Sequence, residues 1–244
     1  MNRILLTSFA LLTGVAGAAE PVAFRAEAKV EIDATGKPTK IEGSADLPEA
    51  VRTYIERTVA TWQFAPPSRD GVPSNGITYL KLGACAVPVG NGYRLAVDFK
   101  GNGPRLAGRS ILPPPHYPAA AMRAGEGAQM VVKWIVEPDG RATLEQIERT
   151  DGAKVKRIDP FDKPIREWVA SLRYEPEQLA GVPVRTRVTV PVSFTMDGPD
   201  AGTYKQQLVE QAKQSPECQL AASKLLDGLQ PVAVDSPFKL LTSG

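Results

Sequence analysis

From Ala60 to Leu82 the sequence runs ATWQFAPPSRDGVPSNGITYLKL, and from Ala170 to Val192 it runs ASLRYEPEQLAGVPVRTRVTVPV. At a constant offset of 110, Phe64 meets Tyr174, Pro66 meets Pro176, and Gly71-Val72-Pro73 meets Gly181-Val182-Pro183. Each copy steps from an aromatic-x-Pro phrase through a Gly-Val-Pro turn into alternating apolar residues, the pattern of a half-buried strand. The surroundings repeat as well. Upstream of the first copy, Phe24, Ala26, Ala28, Val30 and Ile32 alternate, Thr35-Gly36-Lys37-Pro38 breaks the strand, and Thr39 to Gly43 returns. Leu47-Pro48 then opens a helix whose apolar face is Val51, Ile55, Val59 and Trp62. Upstream of the second copy, Gln129 to Glu137 is a strand, Pro138-Asp139-Gly140-Arg141 a turn, and Leu144 to Ile147 the returning strand. A helix with Pro164 in its first turn follows, striped by Phe161, Ile165, Val169 and Leu172.

The chain therefore reads as α+β: two tandem small β-β-α-β domains, the second preceded by a short alanine-rich helix from Tyr117-Pro118 to Gly125. After the first unit, Tyr93, Leu95, Val97 and Phe99 add a strand. The stretch 101–115 is Gly- and Pro-rich and ends in Pro113-Pro114-Pro115, a stiff elbow of about 9 Å. These features divide the chain into residues 20–100, a linker 101–115, residues 116–196 and an extension 197–244. In the extension, Tyr204, Leu208, Ala212, Leu220, Leu225 and Leu226 predict helix over 203–228, interrupted near Ser215-Pro216. Trp62 and Trp134 are expected in the cores. Trp168 falls off the four-residue stripe and is expected at the surface or between the two units.

Residues 1–19 have the make-up of a secretory signal peptide: Arg3, an apolar stretch from Ile4 to Ala16, and small residues at Ala16-Gly17-Ala18. The alternative is an uncleaved membrane anchor, although the apolar run is short of the roughly 20 residues a spanning helix needs. The formal net charge of +2 provides no basic field for nucleic acid. The two cysteines, Cys85 and Cys218, read as a disulfide in an oxidising compartment, or else as two unpaired thiols. The single histidine, His116, cannot build a His-rich metal centre, and no Cys-x-x-Cys, His-Glu-x-x-His or Gly-x-Ser-x-Gly phrase is present. Asp139, Asp159 and Asp162 are explained by turns and helix starts. No catalytic residue, cofactor or metal is expected.

HYPAAAMRAGEGAQMVVKWIVEPDGRA, followed by WVASLRYEPEQLAGVPVRTRVTVPVSF, closely resembles the C-terminal domain of TonB-type energy transducers. The shared pattern is Tyr-Pro, a short helix ending in Gly-x-x-Gly, strands around Pro-Asp-Gly, and an amphipathic helix leading to aromatic-x-Pro. Gly-x-Pro-Val and a final Val-x-Val-Pro-Val-x-Phe strand complete it. Residues 24–83 look like a diverged copy without the Tyr-Pro helix. The resemblance implies a non-catalytic periplasmic protein-binding domain to which a segment of an outer-membrane transporter adds as a strand at a sheet edge. Carried onto this chain, the partner-binding residues are His116, Tyr117, Arg187, Thr189 and Ser193, with Trp168 added as a surface or interface residue. Two other readings are a structural or envelope-assembly module whose edges pair internally or in a homodimer, and a membrane-anchored transducer with a retained N-terminus.

Overall fold

The computed structural model describes residues 21–89, 92–108, 112–152, 159–196 and 232–243. The expected signal peptide, helix 203–228 and Cys218 lie outside the described residues. In chain order the first half forms β1 (Val22–Ile32), β2 (Pro38–Gly43), α1 (Glu49–Val59), β3 (Gln63–Phe64), β4 (Ser68–Arg69), β5 (Val72–Pro73), β6 (Gly76–Val89) and β7 (Gly92–Gly103). The second half forms β8 (Arg105–Leu106), α2 (Ala119–Ala124), β9 (Ala128–Val136), β10 (Ala142–Arg149), α3 (Asp162–Ser171), β11 (Tyr174–Glu175), β12 (Gln178–Leu179), β13 (Val182–Pro183) and β14 (Thr186–Phe194). Two short strands close the chain, β15 (Val232–Ala233) and β16 (Leu240–Thr242). These two strands lie beyond the stretch 203–228 for which the helical extension was expected. No helix among the described residues is long and apolar enough to cross a membrane.

Both halves lay their strands in the same antiparallel order. The first places β2, β1, β6 and β7 side by side, and the second places β10, β9, β14 and β15. Alternation puts Ala26, Ala28, Val30, Ile32, Leu80 and Leu82 on one face, where Ile55 and Val59 of α1 close the first core over Trp62 and Phe64. In the second core Met130, Val132, Trp134 and Val136 face Ile165, Trp168 and Val169 of α3. Each β-hairpin turn is tied to the aromatic that opens the repeated phrase. The Phe64 N–H donates to the Gly36 carbonyl at 2.9 Å, and the Tyr174 N–H donates to the Gly140 carbonyl at 2.8 Å.

The repeated Gly-Val-Pro phrase forms the same turn twice. Asp70 and Gly71 have φ of 53° and 78°, and Ala180 and Gly181 have 51° and 73°. Both central residues at positive φ make this a type I′ turn, whose twist suits a two-residue hairpin. Left-handed backbone costs a non-glycine residue about 1–2 kcal/mol, and asparagine tolerates it better than alanine. Ala180→Asn is therefore expected to raise stability by about 0.5–1 kcal/mol, read from the urea midpoint at an unchanged slope.

The two hairpins are put to different uses. β4 and β5 pair only with each other and are exposed. The β12–β13 hairpin instead joins the sheet of the other half: Gln178 pairs with Ile77 and Leu179 with Gly76 on β6. Leu179 enters the first core and Val184 packs against it. The corresponding positions in the first copy are Arg69 and Ser74, which gain nothing from burial. The stretch expected as a linker is occupied as well. Strand β7 runs through Gly103, β8 pairs with β11, and Leu112 is buried in the second core.

Candidate functional site

Strand β14 is the edge at which the sequence places a partner. Its inner side pairs with β9 over its whole length, Thr186 to Val136 through Phe194 to Ala128. Its outer side meets the chain's own end: Val188 pairs with Ala233 and Thr189 with Val232. The Val234 N–H donates to the Arg187 carbonyl at 2.9 Å, and the Arg187 N–H donates to Asp235 Oδ1 at 2.5 Å. Because an antiparallel strand alternates its backbone groups, Arg187, Thr189, Pro191 and Ser193 all turn theirs outward. Beyond Thr189, Pro191 offers no N–H, and Ser193 is exposed. Half of the edge is sealed by the tail and the other half is blunted by a proline, two known ways of protecting an edge.

The expected partner-binding residues do not converge on one spot. Arg187 forms a two-pronged ion pair with Glu145, at 2.7 and 2.9 Å, and faces Thr189, Lys133 and Gln146 across the outer sheet surface. His116 is exposed at the opposite end. Tyr117 is half-buried there, its ring edge-on to Phe161 and Phe194 and its hydroxyl donating to the Glu126 carbonyl at 2.8 Å. Seven residues of strand, roughly 23 Å, separate Phe194 from Arg187.

Trp168 corrects the sequence-based expectation. It is only 6% exposed and belongs to the second core, neither at the surface nor between the units. Its ring stands edge-on to Trp134 at 5.6 Å, and its indole N–H donates to the Pro113 carbonyl at 2.6 Å. Ile165, Trp168, Val169 and Leu172 stand at i, i+3, i+4 and i+7, one wide helical face that the narrower stripe understated. Trp62 and Trp134 are buried in the first and second cores, as expected. Cys85 is buried on β6, and Cys218 lies outside the described residues.

Sequence reasoning missed the seam between the halves. Glu177 is completely buried there. Its carboxylate accepts from Thr78 Oγ at 2.6 Å, Thr186 Oγ at 3.0 Å, Ser236 Oγ at 2.8 Å and Asn102 Nδ2 at 3.5 Å. Those four donors sit on β6, on β14, between β15 and β16, and on β7, so one carboxylate joins both sheets and the tail. Burial pushes its pKa above the ordinary value, against the pull of those hydrogen bonds. On the neighbouring strand, burial draws the Lys81 ammonium down to about 8, opposed by Glu27 and Glu177. Arg105 lies 2.7 Å from Glu175 and covers the Tyr79 ring at 4.8 Å, so a cation of the second half rests on an aromatic ring of the first.

An acid with a raised folded-state pKa holds its proton more tightly when folded, so its contribution is most favourable below the unfolded value of 4.5. That contribution is lost as pH rises from there to the folded pKa. Glu177→Gln keeps the shape and removes the titration. The stability of the unaltered chain minus that of the variant is expected to rise as pH falls from 8 towards 4.5, measured by urea unfolding. A flat difference would mean that the carboxyl does not titrate in that window. The surface carboxylates held low by their partners, such as Asp33 and Asp139, cancel in the subtraction.

No curated protein matches the chain. Residues 113–196, which carry the β9–β10–α3–β14 unit and its Tyr117 helix, match the family model of the Gram-negative bacterial TonB protein C-terminal.

Proposed function

We propose that the protein is a non-catalytic periplasmic protein-interaction module, accessory to TonB-dependent outer-membrane transport, that takes an extended partner segment by strand addition along β14. The observation that carries this reading is the outer side of β14, the last strand of the matched unit. Among the described residues it is engaged only from Arg187 to Thr189, by a short piece of the tail, and Pro191 and Ser193 are left uncovered. Main-chain hydrogen bonds would supply affinity there, while Arg187 and Thr189 would set register. Residues 20–100 are read as a diverged second copy of the same domain, supported by the shared strand order and the paired type I′ turns. The N-terminal leader is taken as cleaved, and Cys85 as bonded to Cys218, tying the extension to β6.

The structural reading has one specific observation in its favour. Both last strands already carry a neighbour from the same chain, β7 on β6 and β15 on β14. A single experiment separates the two. The mature chain and its Thr189→Pro variant are immobilised, and detergent-solubilised outer membrane is passed over each. Retention of TonB-dependent transporters by the first and at least tenfold less by the second is expected, because proline removes an outward N–H. Equal retention, or none, would sink strand addition and leave a module with self-paired edges. The intact mass of the native protein tests the leader: a mass that includes residues 1–19 would support a retained anchor.

A further inference from the structure

Residues 232–242 hold to the rest of the chain as a bound peptide does. Two short backbone pairings grip the ends, β15 on β14 and β16 on β3. Asp235 meets both the backbone N–H and the guanidinium of Arg187, the latter at 3.3 Å. Ser236 gives its hydroxyl to Glu177 at 2.8 Å, and Asn102 donates to the Phe238 carbonyl at 3.1 Å. Phe238 is the anchor, 1% exposed and counted in the first core. Gly76 makes room for it: a Cβ there would stand 2.4 Å from the Phe238 ring. Val234, between the grips, and Leu241, within β16, are exposed at 56% and 60%.

The seam does not depend on this segment. The halves are joined separately by β12 on β6, by Thr78 to Glu177 at 2.6 Å and by Tyr79 to Glu175 at 3.3 Å. The matching position beside β6 is filled by β7, which follows β6 after two residues. β15 reaches β14 only after the long stretch 195–231.

We propose that residues 232–242 are a resident peptide ligand. The seam they fill is a binding site for an extended peptide bearing a carboxylate, a hydroxyl next to it, and an aromatic ring three residues after the carboxylate. The carboxylate is read by Arg187, the hydroxyl by Glu177, and the ring by the pocket over Gly76. The proposal rests on the strand-addition reading of β14 and narrows its partner to that pattern. The seam opens to others only when the resident segment has left.

The test uses a fluorescein-labelled synthetic peptide of residues 232–243 and a chain ending at residue 231. Fluorescence anisotropy is expected to show saturable one-to-one binding to the shortened chain and none to the full chain. Peptides carrying Asp235→Ala or Phe238→Ala are expected to bind at least tenfold more weakly. A shortened chain that melts cooperatively yet ignores the peptide, or that binds the Phe238→Ala peptide equally well, overturns the proposal. If shortening costs the fold, the full chain with Asp235→Ala and Ser236→Ala retains Phe238 and decides the matter. It must take up more labelled peptide than the unaltered chain, and equal uptake overturns the proposal. Exchange of the segment between two copies, seen as a dimer that the peptide dissolves, supports the same site. Because the probe is the chain's own segment, failure here leaves transporter capture by β14 standing, whereas failure of capture beside intact peptide binding removes the outside partner and leaves the contact with the resident segment.

Discussion

Phe238→Ala is expected to lower the stability of the folded chain by about 3–5 kcal/mol, although the residue lies close to the C-terminus. Terminal residues usually fray and tolerate change. Phe238 differs because its ring is 1% exposed inside the first core, over the space that Gly76 leaves clear. Truncation leaves a cavity bordered by β6 and the β12 hairpin, two rigid elements that cannot easily collapse into it. Leu241→Ala is the control. That side chain is 60% exposed, and its loss is expected to cost less than about 0.5 kcal/mol. Urea unfolding of the two variants beside the parent checks both figures. A small cost at Phe238 would mean that the tail sits loosely on the seam.

Gly140→Ala is expected to cost more than about 2 kcal/mol, and Gly36→Ala about as much. Gly140 has φ of +80°, and Gly36 has +86°. Holding alanine in that region costs of order 1–3 kcal/mol. The surroundings add to it, because a Cβ on Gly140 would stand 2.2 Å from the Tyr174 carbonyl oxygen and one on Gly36 would stand 2.0 Å from that of Phe64. Both obstacles are backbone, fixed by the hydrogen bond each aromatic N–H makes to the same glycine. Gly181→Ala separates the two causes. Its φ is +73° with nothing within 4 Å of the added carbon, so it carries the conformational cost alone. Equal losses at Gly140 and Gly181 would mean that the clash relaxes away.

The order of strands and helices was legible because each element shows its own period: two for the strand of Ala26, Ala28 and Val30, about 3.6 for the helix of Ile55 and Val59. What escaped were contacts between distant segments. Val232-Ala233 is too short to announce a strand, and Phe238, following Pro237, looks like part of a loop. Glu177 lies between Pro176 and Gln178 in a polar-looking stretch, and its burial depends on hydroxyls as far away as Thr78 and Ser236. One signal was present and went unread. The two copies of the Gly-Val-Pro phrase differ at Arg69 against Leu179 and at Ser74 against Val184. That exchange of polar for apolar residues marks which hairpin is buried. Trp168 was misplaced for a related reason, since a stripe read at single positions is narrower than the face a helix buries.

The entry of Leu179 and Phe238 into the first core also bears on the order in which the protein is completed. A chain made or exported from its N-terminus has β1, β2, α1 and β6 available early, but their core lacks a wall until the hairpin of the second half arrives. Phe238, also part of that core, arrives later still. Contacts so far apart in sequence are slow to form, and the half-built sheet shows the outer side of Gly76 and Ile77 in the meantime. The first half therefore matures only with the second, and a nascent fragment ending before Gln178 remains an unfinished layer.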